Sequence, residues 1–149
     1  MILLYRIGAP ILLVLLTLSL QCVGIAGLIT WLRSVMPSDM DQRRIANSAA
    51  LVMQTTVGII VLQGLIILLW AGCYRSLCFS TWDSAFYFSA SSYSTVGYGD
   101  VVLPAKWRFL GPLESMVGVL MCGISVSLLF ALVTRLVDSE ARPRPLRQS

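Results

Sequence analysis

Three stretches of this chain carry almost no charge, and each is long enough to cross a lipid bilayer. Residues 8–32 hold no charged side chain over 25 positions, 49–72 hold none over 24, and 110–134 hold one, Glu114, over 25. About 20 apolar residues cover the hydrocarbon core, because a helix advances ~1.5 Å per residue. Composition agrees: 57% of the 149 residues are hydrophobic and 12% are charged, where soluble domains carry about 25% charge. The expected fold is an all-α membrane protein with little mass outside the lipid.

Charge sets the expected orientation. Of the eleven basic residues, Arg33, Arg43, Arg44, Arg135, Arg142, Arg144 and Arg147 fall just after the first span or after the third. Arg6, Arg75, Lys106 and Arg108 fall on the other side. Basic residues accumulate on the cytoplasmic side of short loops, so the N-terminus is expected outside and the C-terminus in the cytoplasm. Both basic clusters flank spans, which makes the net charge of +4 a membrane signal and argues against nucleic acid as a partner. An enzyme is disfavoured as well. There is no histidine, no paired acid set, and no nucleophile with a base at hand. The four cysteines lack metal-ligand spacing. Cys22 and Cys122 lie inside apolar spans and read as small core residues. Cys73 and Cys78 flank the outer end of the second span, where a disulfide and two free thiols are both open readings.

The first span admits two readings. A short start with Arg6, an apolar core and Ala26-Gly27 has the outline of a secretory signal. Cleavage there would place Arg33, Arg43 and Arg44 outside and reverse the later spans. At 25 residues the stretch also exceeds a signal core of about 7–15. It is therefore read as a retained transmembrane helix, with Gly24 and Gly27 as small contact positions against the second span. In that second span Gln54, Thr55, Thr56 and Gln63 are read as helix–helix hydrogen-bonding groups.

Between the second and third spans, residues 82–94 are too short to cross, since 13 residues of helix reach ~20 Å. They read as a re-entrant helix. Ser80-Thr81-Trp82-Asp83 has capping-box spacing at its start, and Asp83 suits the positive end of the helix dipole. The helix would end just before Thr95-Val96-Gly97-Tyr98-Gly99-Asp100. There, glycines alternate with larger residues. Glycine reaches positive φ without steric cost, so Gly97 and Gly99 let successive carbonyls point to one side of the strand. Thr95 adds a hydroxyl oxygen to that row.

This TVGYGD sequence resembles the selectivity filter of potassium channels. Trp82, Ala85, Phe86, Tyr87 and Phe88 are similar to the aromatic pore helix of bacterial ion-channel pores. Pro104, Arg108, Leu110, Glu114 and Gly118 resemble the family's run into its inner helix, and Gly123-Ile124-Ser125 the stretch that holds its gating hinge. The resemblance covers about 60% of the chain. It implies an extra N-terminal helix and loop at 1–48, a pore domain at 49–137, and a cytoplasmic tail at 138–149. Within the pore domain it implies an outer helix at 49–73, a pore helix at 82–94, a filter at 95–100 and an inner helix at 109–137.

The function implied by the resemblance is potassium moving passively through a homotetramer, since one loop per chain needs four chains to close a ring. Thr95, Val96, Gly97 and Tyr98 would supply oxygens to K+, with Gly99 and Asp100 at the outer mouth. K+ is the permeant ion, and no organic cofactor is expected. Asp100 would form an acidic ring, accept bonds from the aromatic layer, or both. Ser91 stands where some relatives carry a carboxylate behind the filter, and Ser94 where threonine is common; both are read as filter support. So is Glu114, since an acid inside a span is expensive. Gly118 and Gly123 are hinge candidates. Ile124, Ser127, Leu128 and Ala131 form a stripe that lines the cavity or faces the second span.

No span carries the repeated arginines of a voltage sensor, and 138–149 is too short for a cytoplasmic ligand-binding domain. A multi-pass protein of the plasma membrane, resembling the bacterial inner-membrane channels, is expected, with lipid and its own copies as partners. The alternatives are a non-conducting or regulatory pore-like subunit and a weakly selective cation channel. A four-loop potassium uptake subunit is a poorer match, because this chain has one loop.

Overall fold

A computed structural model describes residues 2–35 and 44–141. Arg43, Arg142, Arg144 and Arg147 lie outside the described residues, as do the side chains of Arg6 and Arg44. Four helices make up the described chain: α1 (Ile2–Val35), α2 (Arg44–Leu77), α3 (Trp82–Tyr93) and α4 (Leu110–Ala141), with no strand among the described residues. Three of them hold spans long and apolar enough to cross a membrane, Pro10–Val35, Ser48–Leu77 and Leu110–Asp138. The protein is an all-helical, multi-pass membrane protein.

Two apolar clusters fix the direction of the helices. Leu32 near the end of α1 meets Leu51 near the start of α2 and Leu132 in the second half of α4. At the opposite end, Leu13 of α1 joins Trp70 and Tyr74 of α2, Ala85 of α3 and Leu110 of α4. Thus α1 and α4 run together and α2 runs against them. Arg33 and Arg135 consequently emerge at one end of the bundle.

Lipid tails are as apolar as leucine, so close packing and hydrogen bonds must hold such a bundle together. Gly24 of α1 receives the Leu62 side chain of α2, and Gly58 of α2 receives Leu28 of α1. A Cβ at Gly58 would lie 2.6 Å from Leu28 Cδ2, so the two helices approach through this reciprocal pair. Gly27, by contrast, faces open space and takes no part in the contact. One turn of helix separates the contact face from its neighbours, and Gly27 falls off the stripe of Leu13, Thr17, Gln21 and Leu28 that meets α2 and α4. Deep in the bundle, the Trp70 indole donates to Thr17 Oγ1 at 3.0 Å, and Thr17 in turn donates to Leu13 O at 2.9 Å.

The polar residues of α2 divide. Thr55 and Thr56 donate back to Leu51 O and Val52 O within their own helix, and Gln54 is exposed, so of Gln54, Thr55, Thr56 and Gln63 it is Gln63 that reaches across helices. A threonine hydroxyl in a helix satisfies itself on the carbonyl four residues earlier. Cys22 and Cys122 face outward rather than into the core, and Cys73 and Cys78 are half-buried free thiols. A thiol is apolar enough to sit against lipid without penalty.

Candidate functional site

The short helix α3 is built to present the segment after it. Its N-cap is Thr81, in extended geometry (φ −124°, ψ 149°), and the Thr81 hydroxyl accepts from the Ser84 amide. The cap therefore sits one residue later than the Ser80–Asp83 spacing suggests. Asp83 remains in the first turn, where the dipole favours it. Ala85, Ser89, Ser92 and Tyr93 form the buried stripe of α3 against α2 and α4. Phe88 packs edge-on against Tyr74, with ring centres 5.0 Å apart.

The last carbonyls of α3 lie where a helix runs out of donors, and those of Ala90, Ser91 and Ser92 accept from the next segment or from α4. Ala90 O accepts from the Ser94 amide at 3.1 Å and the Ser94 hydroxyl at 2.7 Å. Ser91 O accepts from the Gly97 amide at 3.1 Å. Ser92 O accepts from the Thr95 amide at 2.9 Å and from Ser115 Oγ of α4 at 2.7 Å. Tyr93 O lies hard against Gly118, where any Cβ would collide with it. Ser94, Thr95 and Gly97 are thereby tied back to α3 through their own amides. Ser91 acts by its carbonyl, and Ser94 by its hydroxyl and amide.

Along the hexapeptide the backbone changes hand at every residue. Thr95, Gly97 and Gly99 have φ of +63°, +53° and +80°, whereas Val96 and Tyr98 stay at negative φ. Such alternation turns successive carbonyls toward one side. At Thr95 it is strained, because a side chain rarely takes that region at a cost of about 1–3 kcal/mol. The Thr95 amide bond to Ser92 holds it there. Residues 94–100 are exposed in the single chain, so this row of backbone oxygens is open on one side.

Beyond the loop, Tyr98 stacks on Tyr87 of α3, with rings 6.4 Å apart and 15° from parallel. The Tyr87 hydroxyl donates to Asp100 Oδ2 at 2.8 Å, and the Val101 amide donates to Asp100 Oδ1 at 3.0 Å. The Tyr87 bond holds the Asp100 carboxyl below its ordinary range, and the same bond raises the Tyr87 phenol. A depressed acid stabilises its bonded form at pH above the usual carboxylate value, and that contribution is lost as pH falls through the depressed one. Tyr87→Phe is expected to let Asp100 protonate at higher pH than in the wild type. A carboxyl titration by NMR measures this, and an unmoved midpoint would show that the bond does not set the acid's charge.

Glu114 is fully buried. It accepts from the Tyr74 hydroxyl of α2 at 2.8 Å and from Ser89 of α3 at 2.6 Å, while Ser89 also lies 2.9 Å from Ile67 O. One carboxylate thus joins α2, α3 and α4 behind the exposed loop. On α4, Gly118 is a contact glycine and Gly123 faces open space. Ile124, Ser127 and Ala131 are exposed and Leu128 is half-buried, whereas Met121, Ser125 and Leu132 face the bundle. The stripe 124–131 therefore points largely away from α2.

Some of these features have no clear sequence signal. The positive φ of Thr95 is one, since threonine is not a turn residue. Gln21 is another: it is buried in α1 and bonded to α4. Its one signal is an amide in the middle of an uncharged span, where a polar group must find a partner.

Comparison with known proteins adds the family. No curated protein and no solved structure matches the chain. A family described as "Ion channel" matches residues 55–135, from the middle of α2 through α3 and the hexapeptide to the last turns of α4. The match takes in more than half of the chain and leaves α1 outside it. A bundle of three spanning helices, a short helix that stops inside it, and a backbone loop tied to that helix's end fit one description: the chain belongs to the ion channel family.

Proposed function

We propose that the chain is a subunit of a potassium-selective channel, in which four copies bring their 95–100 loops to one axis. The observation that carries this reading is the alternation of φ at Thr95, Gly97 and Gly99 within a TVGYGD sequence. An ion that sheds its water needs replacement oxygens, and carbonyls turned to one side by such a backbone supply them when four chains converge. Thr95, Val96, Gly97 and Tyr98 contribute these oxygens. Asp100, held ionised by Tyr87, gives the outer mouth a ring of negative charge that concentrates cations.

Assembly has its own support. One loop per chain leaves the oxygen row unclosed, and a groove of about 430 Å³ beside it, lined in part by Phe88, Thr95, Gly97 and Val102, is open in the single chain. A symmetric ring of copies closes both. The reading places the protein in the plasma membrane with its N-terminus outside, as the basic ends after α1 and α4 favour. Flow is passive, with K+ as the transported ion.

The test is flux into liposomes carrying the purified protein, with potassium and sodium run in parallel and barium as blocker. Barium-sensitive potassium flux well above sodium flux is expected. Equal fluxes of the two ions would replace the reading with a weakly selective cation channel. No flux from a verified tetramer, across the stimuli of tension, pH and lipid composition, would point to a non-conducting or regulatory subunit.

A further inference from the structure

Four side chains from all four helices meet at one turn of α4. Gln21 Nε2 of α1 donates to Ser125 Oγ at 3.0 Å and to Met121 O at 3.3 Å. Gln63 Nε2 of α2 donates to the same two atoms, at 2.7 Å and 3.5 Å. Tyr93, the last residue of α3, donates its hydroxyl to Gln63 Oε1. Ser125 then sends its own proton to Met121 O at 2.9 Å. A carbonyl only accepts, so the two amide nitrogens are assigned to the Met121 side, and with Ser125 Oγ accepting from both its own proton goes to that carbonyl.

Met121 and Ser125 lie on either side of Gly123. Glycine lets a helix backbone bend more freely than a residue with a side chain, and nothing stands within 4 Å of where a Cβ at Gly123 would be. The hydrogen bonds therefore clamp the two flanks of Gly123, the glycine of α4 that has open space beside it. At the same time, Gln21 Oε1 is buried with no hydrogen-bond partner. An unpaired acceptor in the core offsets part of what the two donated bonds contribute.

The geometry points to Gln21 as a gate-positioning residue: α1, which lies outside the family match, latches the inner helix across Gly123 and sets how readily α4 bends there. Tyr93 and Gln63 extend the same latch to within two residues of Thr95, so the bend at Gly123 and the end of α3 are coupled through it. Conduction as the readout rests on the potassium-channel reading above; exchange of backbone amides does not.

The experiment compares wild type with Gln21→Met, Ser125→Ala and the double variant in nanodiscs and in planar bilayers. Methionine keeps the length and volume of glutamine without its hydrogen bonds. Hydrogen–deuterium exchange of residues 121–137 is expected to speed up several-fold in Gln21→Met, with that of α3 little changed. In bilayers, open probability is expected to shift by about ten-fold or more, because a net bond lost in each of four subunits compounds in a concerted gate. Gln21→Met and Ser125→Ala should shift it in the same direction, with the double variant adding less than about two-fold, while unitary conductance and ion selectivity stay as in wild type. Unchanged exchange together with unchanged open probability would overturn the latch, and so would full additivity of the two substitutions. If wild type itself does not conduct, the potassium reading fails, and exchange alone still decides the latch. If Gln21→Met does not assemble, Gln21→Leu is measured in its place against the same outcomes.

Discussion

Gly99→Ala is expected to abolish the preference for potassium over sodium, and Gly97→Ala to weaken it severely. Both glycines sit at positive φ, +53° at Gly97 and +80° at Gly99, and no atom lies within 4 Å of the position a Cβ would take in the single chain. The penalty is thus in the backbone and not in a clash. A side chain in that region costs about 1–2 kcal/mol per residue, so four copies on one axis would carry roughly 4–8 kcal/mol of strain. The simplest relief is a flip of the peptide, which turns a carbonyl away from the axis and an amide toward it. Gly99 is the more sensitive because its φ lies farther from the left-handed minimum near +57°. Gly97 has in addition an anchor, its amide on Ser91 O at 3.1 Å. Reversal potentials under opposed potassium and sodium gradients measure the effect. A potassium preference equal to wild type in Gly99→Ala would remove the basis of the proposed function.

Thr95 explains why this prediction separates the glycines from their neighbour. It takes the same region of φ with a side chain in place, and it tolerates the strain because its amide is held by Ser92 O. Strain of this kind persists where surrounding bonds over-determine it. The loop is therefore held by carbonyls at the end of α3, those of Ala90, Ser91 and Ser92, which bond residues of the next segment or of α4.

How legible this is in the sequence differs by feature, for physical reasons. The spans are plain, because an uncharged run of that length has few other uses. The short helix is plain too, since its length forbids crossing and it is bounded by a cap and a glycine-rich segment. The cap itself is displaced by one residue: Ser80 and Thr81 both suit the role, and only the chain's extended turn at Thr81 selects between them. Contacts between helices are the least legible. Gly24 and Gly27 are alike in sequence, yet three residues of helix rotate one onto the α2 face and the other off it. Gly58, its reciprocal partner in α2, looks in sequence like any other small residue in an apolar span. The bond between Tyr87 and Asp100 joins residues thirteen apart whose meeting depends on how the loop doubles back, which no local pattern encodes.

Glu114→Ala is expected to cost the assembled protein about 2–6 kcal/mol, because it strands the buried Tyr74 hydroxyl, leaves Ser89 with Ile67 O alone, and removes the side chain that fills the space between three helices. Tyr74 and Ser89 each direct a proton at the carboxylate, at 2.8 Å and 2.6 Å, and both residues are fully buried. The alanine would also leave a void between α2, α3 and α4 that these helices, pinned by Ser115 to Ser92 O and by Gly118 to Tyr93, have little freedom to close. Glu114→Gln should behave differently. Its amide oxygen can still accept from Tyr74. Its amide nitrogen can donate to Ser89 Oγ, because the Ser89 proton has an alternative acceptor in Ile67 O at 2.9 Å. Every group then keeps a partner, and the glutamine protein should survive heating close to wild type while the alanine protein dissociates many degrees lower. Size-exclusion profiles of the solubilised protein after a temperature series measure this. Equal losses for the two variants would mean that the charge of Glu114, and not its set of hydrogen bonds, is what the site requires. Should the alanine variant assemble, its potassium selectivity is the sharper measurement, because Ser89 lies on the helix that carries the exposed loop and Glu114 is one of the groups that tie that helix to α2 and α4.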